Sequence, residues 1–470
     1  MTPKASELPY TIRFLLIPLA WCLARIPQAG RSALAWALGG LLFHAFPKRR
    51  RILLANLHHA YPDWTESKRR RIGRRSCSGV IEMGLIGICA PFLPLPWLRK
   101  HFRHSPRMRA FFESQLENPR PALFLVPHFA LFESMIWSCR GLEVPEMGVL
   151  FRPPNQQGFA DYLAWSRAKT GITMLSKKEG LARAMGFLRE KGNLAILFDQ
   201  NAGPPGAGIL FLDQLCSATD LAGTFAKKFQ TEIFIFYIRR IKGWEMEMDL
   251  VPLETAHNPR DVTISSNDWL SHTLWESRDE QFVADWMWIH NRWKFQWDVR
   301  QCLGIDFKKS YLPEILPRRK RFWIALPEAI EDEEALLAFL TRFRKSRPDA
   351  HVTLLIPHAE VPADHTRLRA FSEEQVTLPP APERAFFRAF RTDYPDYFLT
   401  LSDNPETERW ARWINIPVRI GWEFPDKPRR HLTARYLIDD PAAWLDLPFE
   451  ERLLTFGRHF GLKDAQESNG

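Results

Sequence analysis

Cysteine is scarce in this chain. There are six among 470 residues (Cys22, Cys77, Cys89, Cys139, Cys216 and Cys302), scattered and without a CxxC pair. That spacing argues against a disulfide framework and a cysteine zinc site, and it fits a reducing compartment. Long apolar runs are missing too. Phe14–Ala24 is bounded by Arg13 and Arg25 and contains Pro18, and Ala33–Phe46 runs into Lys48-Arg49-Arg50-Arg51. Each falls short of the roughly 20 apolar residues that a spanning helix needs. No small-residue cleavage site follows them, so a removable signal peptide is not expected. There is no GxSxG elbow, which argues against a serine nucleophile. No cluster of metal ligands, internal repeat or low-complexity segment stands out, and no metal or other cofactor is expected.

Positive charge is plentiful but uneven. The net charge is +10. Residues 316–470 hold 23 Lys and Arg against 25 Asp and Glu, while residues 1–315 hold 41 against 29. The basic excess therefore belongs to the first two-thirds. Such a surface suits nucleic acid, anionic lipid or an acidic carrier. Nucleic acid is disfavoured, because the basic block (Lys68, Arg69, Arg70, Arg71, Arg74, Arg75) neighbours apolar helices and carries no reading motif. Eighteen Trp and 34 Phe supply core, and also side chains that sit well at a membrane interface. The two N-terminal runs read as helices lying shallowly in one leaflet with basic residues at the headgroups; two amphipathic core helices are the plainer alternative.

The chain reads as α/β. Residues 8–118 are mostly helical. Strands are expected at Ala122–Val126, Met147–Phe151, Leu194–Phe198 and Glu232–Ile238, with helices at Phe129–Cys139, Phe159–Thr170, Gly180–Lys191 and Thr219–Phe229. Strands alternating with helices make a sheet covered on both faces. The stretch 308–321 (KKSYLPEILPRRKR) reads as a linker. A second α/β unit follows, so the expected domains are 1–310 and 318–465.

Four motifs carry the chemistry. The first is His128-Phe-Ala-Leu-Phe-Glu133, where a strand gives way to a helix. A His just past a strand end enters the crevice where α/β folds place ligands. A carboxylate further along can curl back to the ring, fixing its tautomer while the imidazole takes a hydroxyl proton. The second is Phe151-Arg152-Pro153-Pro154-Asn155, in which Arg152 can hold a phosphate or polarise a carbonyl. The third is Asp199-Gln200-Asn201-Ala202-Gly203, a strand end followed by a glycine-bearing loop. The fourth is Trp286-Met-Trp288-Ile-His290-Asn291-Arg292-Trp293-Lys294, read mainly as aromatic packing beneath the site. Each also has a plain structural explanation: a local His–acid contact, a surface arginine, an ordinary turn, an aromatic cluster.

In this order the four motifs resemble those of the bacterial lipid A biosynthesis acyltransferases, over about residues 8–305. Arg51-Ile-Leu-Leu-Ala-Asn56-Leu57 and Ala60-Tyr61-Pro62 are similar to that family's entry segment. The resemblance implies a glycerolipid-acyltransferase-like fold: N-terminal membrane-associated helices and a central mixed sheet flanked by helices. It implies acyl transfer from acyl carrier protein or acyl-CoA to a hydroxyl of a lipid A precursor or related glycolipid. The setting would be the cytoplasmic face of the inner membrane, against anionic lipids. It carries over His128 and Glu133 as catalytic residues, with Arg152, Asn155, Asp199 and Gln200 as substrate-binding ones. The chain departs from the family at Pro127, Leu131, Phe132 and Asp213-Gln214, which bears on acceptor identity more than on chemistry. Residues 322–437 resemble the N-terminal half of lipopolysaccharide heptosyltransferases, which implies a half-Rossmann (GT-B half) domain. That family's glycine-rich start is replaced here by Glu331–Glu334, so a non-catalytic binding module is expected. Two other functions fit the motifs: acyl transfer to another glycolipid or a lysophospholipid, and a scaffold that binds glycolipid without catalysis.

Overall fold

The computed structural model describes residues 7–151, 153–176, 181–190, 192–294, 298–358, 366–380 and 383–463. The chain forms two compact units. One comprises Met1–Leu57, Trp64–Ala202 and Ala218–Arg292; the other comprises His58–Asp63, Gly203–Ser217 and Trp293–Gly470. A single cut near residue 310 does not describe this division, because two short upstream segments belong with the second unit.

Four helices open the first unit: α1 (Ile17–Arg25), α2 (Gln28–Ala45), α3 (Pro47–Ala60) and α4 (Glu66–Cys89). Thr65 caps α4 by accepting a hydrogen bond from the Lys68 amide, and Glu66 adds a carboxylate to the positive end of the helix dipole. Much of the basic block on α4 has carboxylate partners. Lys68, Arg71 and Arg75 gather around Glu280, while Arg69 and Arg70 reach Glu66. Among the described residues no helix is long and apolar enough to cross a membrane.

Seven strands make the main sheet: β1 (Phe102–His104), β2 (Ala122–Val126), β3 (Met147–Phe151), β4 (Thr173–Ser176), β5 (Asn193–Leu197), β8 (Glu232–Lys242) and β9 (Glu245–Pro252). Their order is β1-β9-β8-β2-β5-β3-β4. The β8–β9 hairpin is antiparallel and the remaining pairs are parallel, which makes the sheet mixed. β2 lies at the centre. Its continuous apolar run Ala-Leu-Phe-Leu-Val is buried throughout, as a strand covered on both faces requires. Phe124 packs edge-on to Phe111 and Phe236.

The second unit contains β6 (Ala207–Phe211), β7 (Gln214–Ala218) and β10 (Lys309–Ser310) as a small sheet. The stretch expected as a linker thus contributes a strand, paired in parallel with β6. The larger sheet holds β11 (Lys320–Ala325), β12 (Ala350–Ile356), β13 (Glu374–Thr377), β14 (Tyr397–Thr400), β15 (Val418–Glu423) and β16 (Ala434–Leu437). All are parallel, in the order β13-β12-β11-β14-β15-β16. The first strand stands in the middle and the chain winds outward from it both ways, as in doubly wound sheets. Alternate residues of β11 enter different cores: Phe322 and Ile324 one, Trp323 and Ala325 the other.

Candidate functional site

Register brings two of the candidate residues together. β2 and β5 are parallel neighbours with Val126 opposite Leu197. His128 and Asp199 each stand two residues past those ends, so they emerge side by side. Nδ1 of His128 lies 2.5 Å from Oδ1 of Asp199. Oδ2 of Asp199 accepts from the His128 amide at 2.8 Å and from the Trp286 indole N–H at 2.8 Å. Asp199 is 1% exposed. Burial acts to raise its pKa. The adjoining imidazole and the hydrogen bonds from His128 and Trp286 outweigh that, holding the carboxyl below its usual range. A carboxylate on Nδ1 fixes the tautomer: Nδ1 carries the proton and Nε2 the lone pair.

The expected partner of His128, Glu133, does not reach it. The segment after β2 is a turn rather than the expected helix, which begins only at Ser134. Leu131 takes a left-handed backbone at φ 60°. Ala130 and Met287 donate amide hydrogen bonds across this turn to Asp285 and to His128 respectively. Without a helical repeat Glu133 has no route back to the ring. It pairs instead with Arg167, whose Nη2 donates to Oε1 and whose Nε donates to Oε2 at 3.3 Å. Both remain in the site's walls.

Those walls enclose a cavity of about 270 Å³. Met83, Met135, Met147, Val149, Met174 and Leu197 make it largely apolar, and His128, Glu133, Arg167 and Gln200 supply the polar groups. Flexible thioether side chains suit an irregular apolar guest. Gln200 Nε2 is 2.8 Å from His128 Nε2. Asn155 is exposed in the bend after β3, although its neighbour Pro154 lines the cavity. Arg152 lies outside the described residues. Among the described residues no group of three or more His, Cys, Asp or Glu is placed to hold a metal ion.

The fourth motif braces the third. Arg292, fully buried, donates from Nη1 to the Gln200 carbonyl at 3.0 Å and from Nη2 to Asn267 Oδ1 at 2.8 Å. His290 Nε2 accepts from the Asn201 amide at 3.0 Å, and Asn201 Nδ2 donates to the Arg292 carbonyl. Burial foremost, then the Arg292 charge, lowers the His290 pKa to about 4. It is therefore neutral at pH 7 and able to accept. Asn56 of α3 donates to the carbonyls of Trp288 and His290 at 2.8 and 2.9 Å. Behind Trp286, Arg240 bridges Asp285 and Glu82 at 2.7–2.8 Å. The tryptophans pack, as expected from the motif. The indole on Asp199, the His290 and Arg292 contacts and the Arg167 pairing have no local signal in the sequence.

The sequence profile described as bacterial lipid A biosynthesis acyltransferase matches residues 1–295. The lipid A biosynthesis lauroyltransferase of Escherichia coli (strain K12) is 22% identical over 300 residues, spanning 61% of this chain and 92% of that protein. The crystal structure of the glycosyl transferase family 9 from Veillonella parvula DSM 2008 is similar at 16% identity with a TM-score of 0.26; the match covers 31% of this chain and 42% of that one.

Proposed function

Because the chain belongs to the bacterial lipid A biosynthesis acyltransferase family, and so is an acyltransferase acting on a lipid A-type acceptor, we propose that it draws the acyl group from a thioester by general-base catalysis at His128. The observation that carries this is the 2.5 Å pairing of His128 Nδ1 with the buried Asp199, beside an apolar cavity. The thioester, on acyl carrier protein or coenzyme A, is already activated and needs no covalent enzyme intermediate. The acceptor oxygen attacks the thioester carbon as Nε2 takes its proton. The C–S bond then breaks, and Nε2 returns the proton to the leaving thiolate. Asp199 stabilises the imidazolium in between. Such assistance contributes roughly 100–10,000-fold. The acyl chain occupies the apolar cavity. Arg167, neutralised by Glu133, keeps Nη1 without a protein partner among the described residues, a donor for the carbonyl oxygen. Glu133 thus acts as a positioning residue for Arg167.

The site of action is the cytoplasmic face of the inner membrane. Tyr10, Phe14, Leu15, Leu19, Trp21, Trp36, Leu41 and Phe46 are all more than 45% exposed, with Arg13, Arg25, Lys48 and Arg49 exposed among them. Apolar side chains beside cations suit an anionic lipid surface. The second unit serves as a binding module. At the carboxyl ends of β11 and β14, a crevice of about 220 Å³ is lined by Glu328, Ser402, Asp403, Trp422, Trp444 and Arg452, where doubly wound sheets take ligands.

Two measurements test this reading. Mass spectrometry of envelope lipids with and without the protein should show one missing acyl chain, and an unchanged lipid profile would overturn the acceptor class. Purified His128→Ala should transfer no acyl group from acyl carrier protein or coenzyme A; transfer at the wild-type rate would overturn the base.

A further inference from the structure

Gln200 occupies the place that an acceptor hydroxyl needs. With Asp199 holding the proton on Nδ1, the His128 lone pair is on Nε2, so the Gln200 carboxamide nitrogen at 2.8 Å is its donor. The oxygen end of the carboxamide would set two acceptors face to face. The base itself is buried, 5% exposed, whereas Gln200 is exposed. The backbone beneath the carboxamide is fixed by Arg292 on the Gln200 carbonyl and by His290 on the next amide. Freedom remains in the side chain alone, which can turn outward without disturbing Asp199.

We infer that Gln200 is a displaceable cap on the base: it holds Nε2 while the acceptor is absent and yields to the acceptor hydroxyl. The inference rests on the general-base reading of His128. Its consequence is protection of the donor. An uncapped Nε2 can take a proton from water as the water oxygen attacks the thioester carbon. The C–S bond then breaks, the thiolate recovers that proton, and a free fatty acid and a thiol result. A lipid acceptor makes many contacts that offset the loss of one hydrogen bond to the base, whereas a single water brings few. The cap therefore favours ester formation over hydrolysis.

The test uses the full-length protein with lauroyl-coenzyme A as donor and follows thiol release without acceptor. Gln200→Leu keeps the bulk and removes the donor; Gln200→Asn, one methylene shorter, withdraws it and keeps the polarity. Either should raise acceptor-independent thiol release about tenfold, the factor that one hydrogen bond commands, while ester formation on a lipid A precursor does not rise in step. A residue of merely structural importance would lower both. Thiol release at or below the wild-type level in both variants, with His128→Ala still abolishing transfer, overturns the cap alone. A rise that survives His128→Ala in the same chain overturns the base, and the cap with it.

Discussion

Asp199 and His128 are separated by 71 residues, yet their side chains meet at 2.5 Å because parallel neighbouring strands deliver them to one edge. Asp199, not the nearer Glu133, is therefore the acid that touches the imidazole. Asp199→Asn should lower turnover roughly 100- to 10,000-fold, by losing the tautomer lock and the imidazolium's counter-charge. Glu133→Gln keeps the cavity shape and leaves Arg167 a hydrogen-bond acceptor, so its loss should be at least tenfold smaller. Steady-state kinetics of the two variants decides the order; a reversed order would return the orienting role to Glu133.

Arg240 lies between two buried carboxylates, Asp285 and Glu82, with its own side chain 9% exposed. Arg240→Met strands both charges and should destabilise the protein by about 3–5 kcal/mol. Replacing Glu82, Asp285 and Arg240 together with apolar residues of similar size should recover most of that. Urea denaturation followed by tryptophan fluorescence measures both.

His290 gives the protein an acid-sensitive bond. Its folded pKa is lowered to about 4, against about 6.5 in an unfolded chain. Between those values the unfolded state binds a proton that the folded state refuses. Stability is therefore complete above about pH 6.5 and falls as the pH drops towards 4, by up to about 3 kcal/mol from this residue. Melting temperatures from pH 7.5 to 4.5 should show the slope. His290→Asn should flatten it while lowering stability at pH 7.5; an unchanged slope would remove His290 as its source.

The exposed N-terminal side chains predict a surface function. Replacing Trp21 and Trp36 with Ser removes two large apolar contacts, each worth about 1.5–3 kcal/mol when fully buried. Co-flotation with vesicles containing phosphatidylglycerol should weaken by tenfold or more. Added salt should weaken the wild type further through its basic residues. Undiminished flotation of the double variant would place the membrane contact elsewhere.

Much of this was readable from residue order. The continuous apolar run at 122–126 is a buried central strand, and the expected strands at 147–151 and 232–238 also form, the latter extended to Lys242. The motifs that begin at His128 and Asp199 follow strand ends as expected. What residue order did not yield was which strands are neighbours. Motif spacing is local information, and it favoured an acid five residues away over one delivered by sheet register. The left-handed Leu131 has no sequence signature, since a leucine seldom adopts that conformation, so the helix was expected to start too early. The strands β6, β7 and β10 went unread because short strands carry little periodicity, whereas β9, Glu-Met-Glu-Met-Asp-Leu, alternates polar with apolar residues and was legible.

Asn56 gives α3 a second role. The helix that starts at the basic stretch Lys48–Arg51 carries, further along, the carboxamide that holds the carbonyls of Trp288 and His290, and His290 in turn holds the loop that bears Gln200. The hydrogen bonds thus run without a break from α3 through His290 to the loop that bears Gln200. If the proposed lipid contact at Lys48 and Arg49 bears on this helix, acyl transfer to substrate delivered in solution should be slower without vesicles than with them.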